Sequence, residues 1–206
     1  HKALNRFRAL AYQASENHTR TLWVLKCDIK KFFANINHDI LFALLTQVIS
    51  DQNLLNLLQK IIQSFPTGLP LGNLTSQLLA SVYLNELDQF IKQDLKAKFY
   101  IRYADDFVLL HHDRNELLVW LPKVQTFLQT HLKLNLHPNK VFIKTLASGV
   151  DFLGWIHFPD HRVLRTVTKK RMLKRLAQKP EPAVINSYLG LLGWGNGFKL
   201  KQQILA

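Results

Sequence analysis

Residues 99–110 read FYIRYADDFVLL, two aromatic and β-branched runs separated only by Ala104, Asp105 and Asp106. Runs of this composition pattern as strands, and so short a connector closes only a tight antiparallel hairpin. Two adjacent acids sit at its tip. Like charges side by side repel unless a cation is shared, although two Asp in a turn are commonly no more than a solvated turn. Upstream, TLWVLKCD at 21–28 predicts a strand ending at or near Asp28. That places a third acid at the close of an apolar run, where an unpaired charge is costly. A hard dication would settle both difficulties, because magnesium takes carboxylate oxygens together with water and phosphate.

Around this centre the pattern is mostly helical. Leu4, Phe7, Leu10 and Ala11 share a face over 3–14, and Asp39 is the expected N-cap of a helix carrying Leu41, Leu44, Leu45, Val48 and Ile49. Ser50-Asp51 predicts a break and a fresh cap. A long amphipathic helix is expected from Thr75 and another over 114–133. Strands are predicted at 141–145, 150–158 and 162–166, a basic helix at 168–177, and a last helix at about 183–192. A hairpin set among helices points to an α+β fold, an antiparallel sheet with helices packed on one face, followed by a short helical segment.

Lys and Arg total 27 against 14 Asp and Glu, a net charge of +13, which favours a polyanionic partner such as nucleic acid. A solubilising charge is the plainer reading. Cys27 is the one cysteine, so a disulfide within the chain is excluded. No apolar run approaches the roughly 18 residues a membrane span needs, so no membrane partner is expected. The sequence begins at His1 with neither an initiator Met nor a signal-type segment, and reads as an excised piece of an intracellular, cytoplasmic protein.

Five motifs in order carry a family resemblance. Tyr103-Ala104-Asp105-Asp106 resembles the YxDD box of reverse transcriptases, and CDIKKFF at 27–33 resembles their first catalytic motif. GLPLGNLTSQLLASVYLNELD at 68–88 resembles the loop and helix that cradle template and nucleotide. LHPNK at 136–140 and DFLGW at 151–155 resemble the last two motifs of the palm. The resemblance implies a partial lead-in to the fingers at 1–26, a palm at 27–166 and the truncated start of a thumb at 167–206. It also implies an RNA-directed DNA polymerase, transferring nucleotides from dNTP to a DNA primer on an RNA template. Two Mg2+ ions, replaceable by Mn2+, are implied as cofactors, and an accessory protein is left open.

Carried over position by position, the resemblance makes Asp28 and Asp105 ligands of both metals. Asp106 contributes further out, and the Ile29 carbonyl is a further ligand. Phe33 matches the aromatic that blocks a ribose 2′-hydroxyl, with core packing beside Phe32 as the plainer reading. Lys140 matches the lysine that protonates departing pyrophosphate; a solvated loop lysine is its plainer reading. Leu71, Gly72, Ser76 and Gln77 match the nucleotide-binding loop, and Phe152, Leu153 and Gly154 match the primer grip. Lys169, Lys170, Arg171, Lys174 and Arg175 would meet nucleic-acid phosphates, each adding salt-dependent affinity. Leu71-Gly72 and Ser76-Gln77 stand where many of the family have Gln-Gly and Ser-Pro. That pattern resembles the enzymes of bacterial and phage diversity-generating retroelements and leads to an expectation of low fidelity. The residues before Asp28 match no triphosphate-gripping fingers motif, so the chain alone is expected to extend primers poorly. Two alternatives stay open: an RNA polymerase or terminal transferase on the same palm, and a catalytically silent nucleic-acid-binding scaffold.

Overall fold

The computed structural model describes residues 2–178 and 180–205. Its centre is a four-stranded antiparallel sheet in the order β2-β3-β1-β4, made of β1 (Trp23–Asp28), β2 (Phe99–Tyr103), β3 (Asp106–His111) and β4 (Phe142–Thr145). Strand side chains alternate between faces, and the sequence of β1 and β3 uses both. Leu25, Cys27, Phe107 and Leu109 join one buried cluster; Val24, Val108 and Leu110 join another.

The first face is covered by α2 (His38–Thr46), α3 (Gln52–Gln63), α4 (Leu74–Gln89) and α5 (Arg114–Leu132). Tyr83 lies fully buried among them, donating its hydroxyl to the Leu132 carbonyl at 2.6 Å and accepting the Asn37 amide at 3.3 Å. That single side chain fastens α4 to α5 and to the start of α2. Asp51 caps α3 through the amides of Asn53 and Leu54, as its position in the sequence predicts. The cap of α2 is Asn37, which accepts the Ile40 amide at 3.0 Å, and the expected cap Asp39 falls inside the first turn. An acid there still suits the positive end of the helix dipole.

The α+β class and the antiparallel sheet stand. The opposite face is not bare, however, because α1 (Lys2–Ala14) packs Phe7, Leu10, Ala11 and Ala14 against it. A second sheet lies on this side, formed by β5 (Val150–Phe152), β6 (Trp155–His157) and β7 (Arg162–Leu164). The run 150–158 is therefore a hairpin rather than one strand. Leu153 (φ 52°) and Gly154 (φ 82°) both take the left-handed conformation that a two-residue turn needs. A leucine in that role gives no turn signal. Helices α6 (Thr166–Gln178), α7 (Pro182–Leu192) and α8 (Phe198–Leu205) close over Met172, Leu192, Trp155 and Leu164. The last of these helices was not anticipated.

Candidate active site

The sheet topology brings the three acids together. Asp28 ends β1 and pairs in register with Asp106, the first residue of β3. Ala104 and Asp105 form the turn, with Ala104 at φ 53°, and the Ile29 amide donates to the Asp105 carbonyl at 3.1 Å. On the other flank the His137 amide donates to the Asp28 carbonyl at 2.7 Å. The first motif is thus pinned between the acid turn and the segment leading to Lys140.

Even-numbered residues of β1 and β3 share a face, so Lys26, Asp28 and Asp106 point the same way. Lys26 is diagonal to Asp106, and its Nζ reaches Oδ1 at 3.2 Å. The alignment is poor enough that this buried oxygen finds no hydrogen bond. Lys140 Nζ lies 3.2 Å from both oxygens of Asp28. Burial raises the Asp105 carboxyl above the ordinary range, the Asp28 charge adding to it and Lys140 and Lys26 opposing. Burial pushes Asp106 up to about 6 against the pull of Lys26, with Asp28 and Asp105 adding their repulsion.

Three carboxylates that repel one another and a buried, unsatisfied oxygen are donors of the kind a hard dication takes. As they stand, Asp28 and Asp106 turn to lysines. Among the described residues, no group of three or more His, Cys, Asp or Glu side chains is gathered to hold a metal ion.

Beside the acid turn opens a cleft of about 400 Å3. Phe33, Leu71, Gly72 and Gln77 line it together with Tyr103 and Ala104, so four of the five nucleotide-site candidates converge next to the acids. Phe32 is buried, whereas Phe33 is half-buried with its ring edge-on to Phe32, centroids 5.1 Å apart. The loop over Phe33 is held closely. The Leu69 amide donates to the Phe33 carbonyl at 2.7 Å, and a Cβ on Gly68 would collide with that same oxygen. Gly68 also has φ 62°, so this position needs glycine on both counts.

Two candidates lie elsewhere. Ser76 is buried and lines a separate hollow with Lys60, Phe65 and Asn73. Its spacing to Leu79, Ala80 and Tyr83 places it on the inward stripe of α4, a signal present in the sequence. Phe152 is fully buried against Phe7, with ring centroids 5.4 Å apart; Leu153 and Gly154 form the hairpin turn. The exposed side chains of Lys169, Lys170, Arg171, Lys174 and Arg175 lie on α6, whose Met172 is turned inward.

Three functional neighbours escaped sequence reasoning. They are Lys26, which depends on strand register, Tyr103 as a cleft wall, and Arg102. Arg102 holds Asp88 of α4 and donates to the Ala104 carbonyl at 3.2 Å, setting the acid turn against the helix.

This palm-like sheet with acids at one end has counterparts among known proteins. Residues 1–157 match the family described as reverse transcriptase (RNA-dependent DNA polymerase), and the chain belongs to that family. Among curated proteins, it is 25% identical to protein YkfC of Escherichia coli (strain K12), over 82% of this chain and 54% of that protein. It is 26% identical to the group II intron-encoded protein LtrA of Lactococcus lactis subsp. cremoris, over 72% of this chain and 36% of that protein. The chain therefore spans about half of one relative and about a third of the other. A solved telomerase from Candida albicans, in complex with a TWJ fragment of telomeric RNA, shares the fold with a TM-score of 0.63 at 11% identity. That alignment covers 80% of this chain and 34% of the telomerase. None of these relatives belongs by its description to the diversity-generating retroelements. No helix among the described residues is long and apolar enough to cross a membrane.

Proposed function

We propose that this chain is the catalytic palm of an RNA-directed DNA polymerase, which joins a dNTP to a DNA primer on an RNA template. The observation that carries the reading is the convergence of Asp28, Asp105 and Asp106 at one sheet end, beside the Phe33 cleft. The primer 3′-hydroxyl gives its proton to water as its oxygen attacks the α-phosphorus of the dNTP, the new oxygen–phosphorus bond forms, and the bond to pyrophosphate breaks. Asp28, Asp105 and Asp106 are the residues that would hold two Mg2+ or Mn2+ ions, with the Ile29 carbonyl as a further oxygen donor. When bound, such ions lower the pKa of the attacking hydroxyl and neutralise charge on the leaving group. Lys26 and Lys140 occupy the acids in the meantime, which moderates a repulsion that would otherwise oppose folding.

The chain's own groups do the positioning. Phe33 and Tyr103 wall the cleft where the sugar and base of the nucleotide sit, and the Leu71-Gly72 loop faces the templating pair. Lys140, half exposed and next to Asp28, delivers a proton from Nζ to the departing pyrophosphate. Leu153 and Gly154 support the primer end, and the basic face of α6 meets backbone phosphates. On this reading residues 27–166 act as palm, 1–26 as lead-in and 167–206 as the start of a thumb, in a cytoplasmic protein. The Leu71-Gly72 and Ser76-Gln77 pattern supports the diversity-generating subclass, and the group II intron relatives support the broader retroelement reading.

The test is primer extension by the whole parent protein with dNTPs and, separately, NTPs. Asp105→Asn is expected to lower extension by about two orders of magnitude or more, since it removes a charge that acts on the transition state. Unchanged extension by that variant would overturn the reading. Template binding without extension by the unaltered protein would point instead to the silent scaffold.

A further inference from the structure

A cavity of about 320 Å3 lies between α1, the turn joining β6 to β7, and the loop joining α7 to α8, and no residue of the acid cleft lines it. Small-molecule sites start at about 300 Å3, so one nucleotide unit or less fits. Its construction is firm. The Asn196 amide donates to the Arg162 carbonyl at 2.8 Å, the Arg162 guanidinium donates through Nε to the Trp194 carbonyl, and a Cβ on Gly195 would collide with the Trp155 ring.

The chemistry of the lining is that of an anion site with an aromatic wall. Arg162 spends its guanidinium on neutral acceptors only, the Trp194 carbonyl and Asn5 Oδ1 at 3.2 Å. Its Nη1 is buried with no hydrogen-bond partner, its guanidinium carbon lies 6.0 Å from the centre of the Trp155 ring, and among the described residues it makes no ion pair. Arg8, also lining the cavity, is the neighbouring charge it feels, and like charges held together favour an anion between them. Asp160 also lines the cavity, its carboxylate held on His161 Nδ1 at 2.7 Å, so the lining sets two arginines against one acid. Phe158 and His161 stack with centroids 4.8 Å apart and planes 12° from parallel, and Trp194 stands on the same lining. Arginines beside flat rings are the means by which proteins hold single-stranded nucleic acid without reading its sequence.

We propose that this cavity binds one nucleotide of single-stranded RNA, with a phosphate between Arg8 and Arg162 and the base against Phe158, His161 and Trp194. A duplex is disfavoured, because its bases are already stacked on one another and cannot be presented singly. The site is separate from the acid cleft, so it stands or falls independently of the polymerase reading.

The experiment is ultraviolet cross-linking of the whole chain to a thiouridine-bearing RNA strand of about 12 nucleotides, a length that spans one such groove, with adducts mapped by mass spectrometry. Adducts are expected on Phe158, His161 or Trp194. Arg8→Glu, a change at an exposed position checked for fold by circular dichroism, is expected to lower their yield about tenfold, as loss of a phosphate contact does. His161→Ala should lower it as well, while adducts on the basic face of α6 persist in both variants. Adducts confined to α6 or the acid cleft would overturn the proposal. So would a cavity yield that ignores both substitutions. If adenosine monophosphate prevents the adducts at a lower concentration than unlabelled RNA does, the ligand is a free nucleotide and the RNA assignment fails. If inorganic phosphate competes as well as adenosine monophosphate, the stacking assignment fails.

Discussion

Arg102 grips Asp88 through two nitrogens, Nε at 2.8 Å from Oδ1 and Nη2 at 2.6 Å from Oδ2. Tyr100 donates its hydroxyl to the same Oδ1 at 2.7 Å, and burial, with the Asp88 charge adding, keeps that phenol protonated and a donor. The arginine and aspartate side chains are 13% and 23% exposed, so the pair is little screened. Asp88→Ala is expected to cost about 2–3 kcal/mol in urea denaturation, because it strands a charge and two donors. Arg102→Met should restore part of that loss in the double variant. Additive losses would mean the network is not coupled.

Phe33→Ala in the parent enzyme is expected to relax sugar selection and admit NTPs. The cause is the removal of a wall from the cleft rather than the loss of a hydrogen bond. Competition between dNTP and NTP in primer extension checks it. An unchanged preference would return Phe33 to packing beside Phe32.

Leu71 is 78% exposed at the cleft, an apolar side chain with no polar group to offer a base pair. Hydrogen-bond readout rejects wrong partners strongly and apolar contact does so weakly. Leu71→Gln is therefore expected to lower the misincorporation rate, read by sequencing of extension products. Equal error rates would place any infidelity elsewhere.

His157 is buried, with Nε2 donating to the Phe152 carbonyl at 3.2 Å. Burial lowers its pKa to about 4, the Arg162 charge adding to that and Asp151 opposing. A neutral histidine stabilises the fold fully above the unfolded value, and its contribution is lost as pH falls from about 6.5 through about 4. Between about pH 7 and about pH 4 the loss amounts to about 3 kcal/mol. His157→Gln should flatten that part of the stability curve in urea titrations. A parallel curve would show that other groups carry the acid sensitivity.

The acids and their strands were legible because an acid at the end of a two-residue alternation can be placed without knowing its neighbours. Asp28, Asp105 and Asp106 fell at one sheet end for that reason. Lys26 was not legible, since its tie to Asp106 exists only in the register that sets Lys26 against Val108. The turn at Leu153 and Gly154 was not legible in a run read as one strand, and Phe152 belongs to the core with Phe7, a contact between residues far apart in the chain. Ser76 lies outside the Phe33 cleft, for another cause. Its motif matched a cleft residue, while the helical stripe Ser76-Leu79-Ala80-Tyr83 already pointed inward.

The order β2-β3-β1-β4 has a consequence for how the chain is made. Of the four strands of this sheet, β1 is made before the others yet lies inside it, and both of its neighbours arrive later, at Asp106–His111 and Phe142–Thr145. Until then its two edges are open, with Val24, Leu25 and Cys27 free to pair with another nascent chain. Contacts as distant as Lys140 with Asp28, 112 residues apart, make folding slow relative to helix formation. During synthesis α1 precedes β1 and α2 to α4 follow it, so helices for both faces of β1 exist before either of its edges is paired.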